Sequence, residues 1–167
     1  MVRIKTRDFI LRPIRIEDAE VYLELHKDKY SKRNFMSVPK NLKEARKEIT
    51  EGVKGGTTFA IEVNGEFAGF IHLELNKKPH YKHSADVGYG IMPQFRGKGL
   101  ATKVLKAITS YGFNKLGLKR IWGSCRTFNK ASARVLEKAG YKLEGILRKN
   151  KFKEGKYLDD MLWAKVR

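Results

Sequence analysis

Gln94-Phe95-Arg96-Gly97-Lys98-Gly99 sets two glycines two residues apart between basic side chains, just before a stretch with helical spacing of apolar residues. A helix N-terminus carries unpaired N–H groups and the positive end of the helix dipole, so it is a ready anion site. Glycine lets the backbone curl until several N–H groups converge, with no Cβ in the way. Arg96 and Lys98 add whole charges. A pyrophosphate fits this arrangement, and so does a plain glycine-rich turn with solvated cations. Two phosphate-binding patterns are excluded by single residues. A P-loop needs Gly-Lys followed by Ser or Thr, and Gly97-Lys98 is followed by Gly99. The dinucleotide fingerprint needs a third glycine where Thr102 stands.

The rest of the chain must hold that turn in place. Its 167 residues suit one domain, 1–167, with one core. Hydrophobic content of 41% and aromatic content of 11% exclude a disordered chain. No apolar run approaches the ~20 residues needed to span a bilayer. The first fifteen residues alternate basic and apolar types and lack a secretory h-region, so a cytoplasmic location without membrane contact is expected. The lone Cys125 can form neither an internal disulfide nor a thiolate cluster, and no His/Cys/Asp grouping suggests metal. Net charge is +18, which raises phosphorylated ligands and nucleic acid as partners. A solvated surface tuned for solubility or heat explains the charge equally well. No helix-turn-helix, zinc-finger or RNP signature is present, and the lysines are spread out. Nucleic acid is therefore expected only indirectly, through basic surface.

Periodicity predicts a strand over 2–12, a helix over 16–28, and a helix over 41–53 opened by Asn41 and Glu44 and ended by Gly55 and Gly56. Strands 57–63 and 66–75 flank Asn64-Gly65, a strong hairpin signal. A polar loop over 76–84 leads to strand 85–92, helix 97–116, strand 118–125 and helix 129–140, which Asn129 caps and Gly140 ends. Two strands, 141–150 and 156–166, joined near Gly155, complete the chain. The order implies a mixed α/β layer protein with a ligand site where strand 85–92 hands over to helix 97–116.

Several segments together resemble the GCN5-related N-acetyltransferases. Gln94–Gly99 matches that family's Gln/Arg-x-x-Gly-x-Gly/Ala loop. "LRPIRIEDA" (11–19) is similar to its opening strand and turn. "ADVGYGIMPQFRGKGLATKVL" is similar to its central strand, loop and helix. "NKASARVLEKAGYKLEGILR" (129–148) resembles the branch of the RimJ/RimL ribosomal-protein N-terminal acetyltransferases and the spermidine acetyltransferases. The resemblance spans nearly the whole chain. It implies an α/β (mixed α+β) fold: a mostly antiparallel twisted sheet of about seven strands, flanked by helices and splayed at its central strands.

The implied reaction is direct transfer of acetyl from acetyl-coenzyme A to a primary amine. The amides of Arg96, Gly97, Lys98, Gly99, Leu100 and Ala101 would hold the pyrophosphate, with the Thr102 hydroxyl nearby. Ile91 and Met92 would form the edge that pairs with pantetheine, and an N–H near Ile91 would polarise the thioester carbonyl. Asn129 is an N-cap, a pantetheine contact, or both. Lys130 and Arg134 are candidates for the 3′-phosphate, or solvated cations. Family members often place a tyrosine acid seven residues after the asparagine; here that position is Leu136. The RimJ/RimL-like branch has a serine three residues after it, here Ser132, the candidate acid. Asp86 is the candidate base, sharing a strand face with Gly88 and Gly90. His72 and Glu74 share one face of strand 66–75 and could relay protons. Some relatives carry a glutamate where Lys151 stands, a departure from the pattern. Cys125 reads as strand filling. The expected acceptor is a protein or peptide N-terminal amine, those of ribosomal proteins included, with polyamines or other small amines as runner-up. A non-catalytic coenzyme A binder or a basic nucleic-acid binder is the alternative of another class; the residues do not give an oligomeric state, and only the family resemblance raises a homodimer.

Overall fold

The computed structural model of the chain describes residues 2–55 and 58–167; the expected helix end at Gly56 and strand start at Thr57 lie outside them. The strands are β1 (Ile4–Lys5), β2 (Ile10–Pro13), β3 (Thr58–Val63), β4 (Glu66–Leu75), β5 (Ser84–Ile91), β6 (Arg120–Arg126), β7 (Lys142–Lys153) and β8 (Lys156–Val166). The helices are α1 (Ala19–Lys27), α2 (Lys29–Asn34), α3 (Leu42–Gly55), α4 (Leu100–Asn114) and α5 (Lys130–Lys138). All eight strands join one sheet in the order β1-β2-β3-β4-β5-β6-β8-β7. Every neighbouring pair is antiparallel except β5 with β6. This is the expected mostly antiparallel, helix-flanked sheet, with eight strands where about seven were expected.

The extra strand comes from the N-terminal segment, which folds back instead of running straight over 2–12. The Thr6 hydroxyl donates to the Phe9 carbonyl and accepts from the Phe9 N–H, which turns the chain so that Ile4 pairs with Leu11. The expected helix over 16–28 also divides. A 3-10 turn (Ile16–Asp18) feeds α1, then Asp28 adopts extended backbone (φ −71°, ψ 155°) and caps a second helix, α2. Its carboxylate accepts from the N–H groups of Tyr30 (2.8 Å) and Ser31 (3.2 Å). Lys29–Asn34 has no apolar periodicity, so a pattern search passes over it. The Asn64-Gly65 turn forms as expected, both residues at positive φ (50° and 84°).

Apolar side chains bury against both faces of the sheet. On one face Ile71, Leu73 and Val87 pack with Val104, Leu105 and Ile108 of α4. On the other, Ala60 and Phe70 pack with Leu25 of α1 and with Ala45 and Ile49 of α3. Gly69 sets how closely β4 and β5 meet. A Cβ there would lie 2.1 Å from the Gly90 carbonyl oxygen, and its φ of 151° disfavours any other residue. Gly69→Ala is expected to destabilise the protein by roughly 1–3 kcal/mol, because the clash is with backbone rather than a yielding side chain. At roughly 2–4 °C per kcal/mol for a chain of this size, a melting curve reads the change directly.

Candidate active site

β5 and β6 pair over three residues and then part. Ser84, Ala85 and Asp86 face Arg120, Ile121 and Trp122, and no further β5–β6 pairs follow. Beyond that point β5 stays with β4 as far as Ile91, while β6 stays with β8 as far as Arg126. The gap opens at the C-terminal ends of two parallel strands, where ligands enter open α/β sheets. The Met92 N–H donates to the Ala68 carbonyl on β4 at 2.9 Å. By strand alternation the Ile91 N–H then points the other way, into the gap. The Ile91 carbonyl on that same edge accepts from Arg96 Nε at 2.8 Å. Ile91 therefore offers a free edge amide, whereas Met92 does not: its amide belongs to β4 and its side chain packs with the α1–α3 core.

The glycine-rich turn follows at once. Pro93–Phe95 forms a 3-10 turn that takes up the Arg96 N–H through the Pro93 carbonyl at 3.2 Å. Gly97 and Gly99 adopt φ of 75° and 78°, with open space where a Cβ would project. Gly99 is the N-cap of α4, so the helix starts at Leu100 and not at Gly97. Among the described residues, no acceptor is found for the N–H groups of Gly97, Lys98, Gly99, Leu100, Ala101 and Thr102. Six orphan donors at the positive end of a fifteen-residue helix fit a diphosphate. Arg96, the other member of the expected amide set, contributes in a different way. Its guanidinium binds both Asp28 oxygens (3.2 and 2.8 Å) and lies over the Tyr30 ring at 4.7 Å. Burial alone would raise the Asp28 carboxyl, but bonds from Arg96 and Ser31 override it and hold the group well below the ordinary range. The Lys98 ammonium turns back to the Gln94 carbonyl at 3.0 Å.

Across the gap, Asn129 caps α5 by accepting the Ser132 N–H at 3.1 Å, and its same oxygen accepts the Tyr30 hydroxyl at 3.0 Å. The Asn129 Nδ2 has no acceptor among the described residues and remains a donor. The Ser132 hydroxyl sits 3.1 Å from the Tyr89 hydroxyl of β5. Cys125 is buried beside them. Burial pushes its thiol up, while the Ser132 hydroxyl favours its thiolate. Ser132, Asn129, Ile91 and the loop thus border one gap. Arg134 does not join them; it is exposed and pairs with Glu137 on the surface of α5, and Lys130 is likewise exposed. Leu136 is buried core and supplies no polar atom.

Asp86 lies on the opposite face of β5, in register with Glu74 of β4 and Trp122 of β6. Burial, then the Glu74 charge, raise its carboxyl to about 7, against the pull of the Val87 amide and the more distant Lys151 charge. His72 pairs with Gly88 on this face, and its ring lies where a Gly88 Cβ would sit, Cε1 at 2.4 Å. Burial holds the imidazole below its usual range, so it is neutral at pH 7. Asp86, Glu74 and His72 therefore form one patch that borders the same parting of strands from the other side. Among the described residues, no group of three or more His, Cys, Asp or Glu side chains is placed to hold a metal ion. No helix among them is long and apolar enough to cross a membrane. Asp28, Tyr30 and Tyr89 are absent from the residues expected from sequence. Only Tyr89 carried a usable signal: period-two alternation puts it on the face opposite Asp86.

This geometry has close counterparts. The family model for the acetyltransferase (GNAT) domain matches residues 8–142. An uncharacterized N-acetyltransferase of Bacillus subtilis, YoaA, is 30% identical over 98% of this chain and 96% of its own. The spermidine N(1)-acetyltransferase of Escherichia coli is 34% identical over 59% of this chain and 52% of its own. Among solved structures, a GNAT-family acetyltransferase from Bacillus anthracis superposes with a TM-score of 0.89 at 23% identity, covering 99% of this chain and 98% of that one. RimL, a ribosomal L7/L12 α-N-protein acetyltransferase solved with coenzyme A, superposes at 0.88 with 21% identity, covering 99% and 98%. Taken with the parted strands and the orphan amides beyond them, these matches establish that the chain belongs to the GNAT family and is an acetyl-coenzyme A-dependent N-acetyltransferase.

Proposed function

We propose that the acceptor is the N-terminal amine of a protein or peptide, acetylated directly with Asp86 as base and Ser132 as hydrogen-bond donor to the departing sulfur. Bound acetyl-coenzyme A supplies an activated acyl group. The amides of Gly97 to Thr102 bind its diphosphate, Ile91 and Asn129 bind the pantetheine arm, and the Ile91 N–H faces the carbonyl oxygen. An acetyl-enzyme on Cys125 is not needed: the thiol is buried and pushed up, the opposite of an activated nucleophile.

The observation that carries the acceptor class is Asp86, with its carboxyl at about 7. An α-ammonium at 7.7–8.0 passes a proton to such a base at a cost of roughly 1 kcal/mol, whereas a lysine-like ammonium near 10.4 costs about 4–5 kcal/mol. A base matched to the operating pH suits the first and serves the second poorly. The RimL likeness in fold accords with this reading. A polyamine acceptor is the second reading, favoured by the similarity to spermidine N(1)-acetyltransferase over 100 residues. The +18 charge opposes it by repelling a polycation.

A thiol-release assay with N-terminal peptides, polyamines and aminoglycosides separates the readings. Peptides are expected to turn over fastest, and activity confined to polyamines would refute the proposal. Asp86→Asn is expected to lower kcat/KM by at least about 100-fold and to remove the rise in rate through pH 7. The same substitution should raise the melting temperature at pH 8. A carboxyl whose folded pKa lies above its unfolded value costs stability progressively as pH rises between the two, and that cost is complete at pH 8. Unchanged rates, or a lower melting temperature at pH 8, would remove Asp86 from the role.

A further inference from the structure

The Ser132 hydroxyl has one hydrogen, two lone pairs and free rotation about its C–O bond. Nothing in its own helix claims it, because Asn129 already caps the first turn through the Ser132 N–H. Its one side-chain hydrogen-bond partner is the Tyr89 hydroxyl at 3.1 Å, reaching from the other arm of the parted sheet. Which group donates follows from satisfaction. Tyr89 is half-buried, and Ser132 is its one side-chain partner among the described residues. If serine donated to tyrosine, the phenolic hydrogen would be left without an acceptor, a cost buried hydroxyls avoid. Donation from Tyr89 to Ser132 Oγ satisfies the phenol and leaves the serine hydrogen free. Burial pushes the phenol well above its ordinary range, so it remains a neutral donor across the working pH. With one lone pair filled, the serine hydrogen must turn away from Tyr89. Ser132 borders the gap beside Asn129 and across from Ile91, so that hydrogen is available to a sulfur that enters the gap.

We propose that Tyr89 is a positioning residue for acetyl transfer: by donating to Ser132 it aims the serine hydrogen at the sulfur that leaves. This rests on the reading of Ser132 given above. The C–N bond forms as the C–S bond breaks, and the electron pair of that bond goes to sulfur. The proton lost by the amine goes to Asp86. Tyr89 and Ser132 keep their own protons and act through a two-bond chain, Tyr89 O–H to Ser132 Oγ–H to sulfur. Because the chain crosses the gap, it is complete only when the β5 arm and α5 hold their present separation.

The test titrates the thiol of coenzyme A bound to wild type, Tyr89→Phe and Ser132→Ala through its ultraviolet thiolate absorbance. Desulfo-coenzyme A complexes provide the baseline that removes Cys125. A hydrogen bond to a charged partner predicts that Ser132→Ala lowers the acidity constant of the bound thiol about tenfold and that Tyr89→Phe alone reproduces a large part of that loss. Kinetically, Tyr89→Phe should lower kcat by roughly 3–10-fold with KM for acetyl-coenzyme A unchanged, and add almost nothing in a Ser132→Ala background. If Ser132→Ala alters both thiol and kcat but Tyr89→Phe alters neither, or acts independently of Ser132, Tyr89 has no such role and the serine reading stands. If Ser132→Ala itself changes nothing, the serine reading fails and this inference falls with it.

Discussion

The parting of β5 from β6 after the Asp86–Trp122 pair is the constraint on which the site depends. Each strand has a better partner elsewhere: β5 pairs with β4 from Ala85 to Ile91, and β6 runs its full length against β8. Gly123 marks the branch point, since a Cβ there would approach the Val87 carbonyl to 2.9 Å. Past it, β5 keeps an unpaired edge inside the protein rather than at the rim of the sheet. A buried strand edge is costly unless something bonds to it. Arg96 answers part of that need at the Ile91 carbonyl, and the Ile91 amide is left for a ligand.

The period of a strand then divides the chemistry. Side chains of β5 alternate between faces, so Asp86 and Gly88 face the α1–α3 side with His72 and Glu74, while Tyr89 faces α4 and α5 with Ser132. The proposed base and the proposed hydrogen-bond donor to sulfur thereby border opposite faces of one strand. The two arms are also tied across the gap by α2. Asp28 and Tyr30 engage Arg96 on the β5 side, Tyr30 engages Asn129 on the α5 side, and Lys153 of β7 bonds the Phe35 carbonyl at the end of α2 (2.7 Å). A helix of six residues is held mainly by such side-chain contacts, not by its own propensity.

That origin explains what the sequence could and could not reveal. The Asn64-Gly65 hairpin, the glycine-rich turn before α4 and the Asn129 cap are local in cause, so residue types and spacing expose them. The family pattern extends from those local signals to the sheet order. Helix α2 is tertiary in cause and has no periodicity to find. The β1–β2 reversal rests on one threonine hydroxyl, a signal indistinguishable from any surface threonine. In the site, the loop's conformation was legible because glycine is the default residue where φ must be positive, as at Gly97 and Gly99. The state of Met92 was not legible, since only the register of β4 against β5 decides which amide faces the gap. From sequence, Arg96 reads as a loop amide with added charge, and Arg134 as a 3′-phosphate candidate or a solvated cation. Arg134 pairs with Glu137 on the exposed surface of α5, whereas pairing with Asp28 across 68 residues ties Arg96 to the edge of the gap.

The central claim is that one edge amide and six loop amides, left without acceptors by the parting of the sheet, are where acetyl-coenzyme A binds. Amide hydrogen exchange, resolved to single residues with and without acetyl-coenzyme A, reads those groups directly. The account predicts new protection at Ile91 and from Gly97 to Thr102, with little change at Met92, whose N–H is already bonded to β4. Protection elsewhere in the chain, with these amides still exchanging as in the free protein, would contradict it.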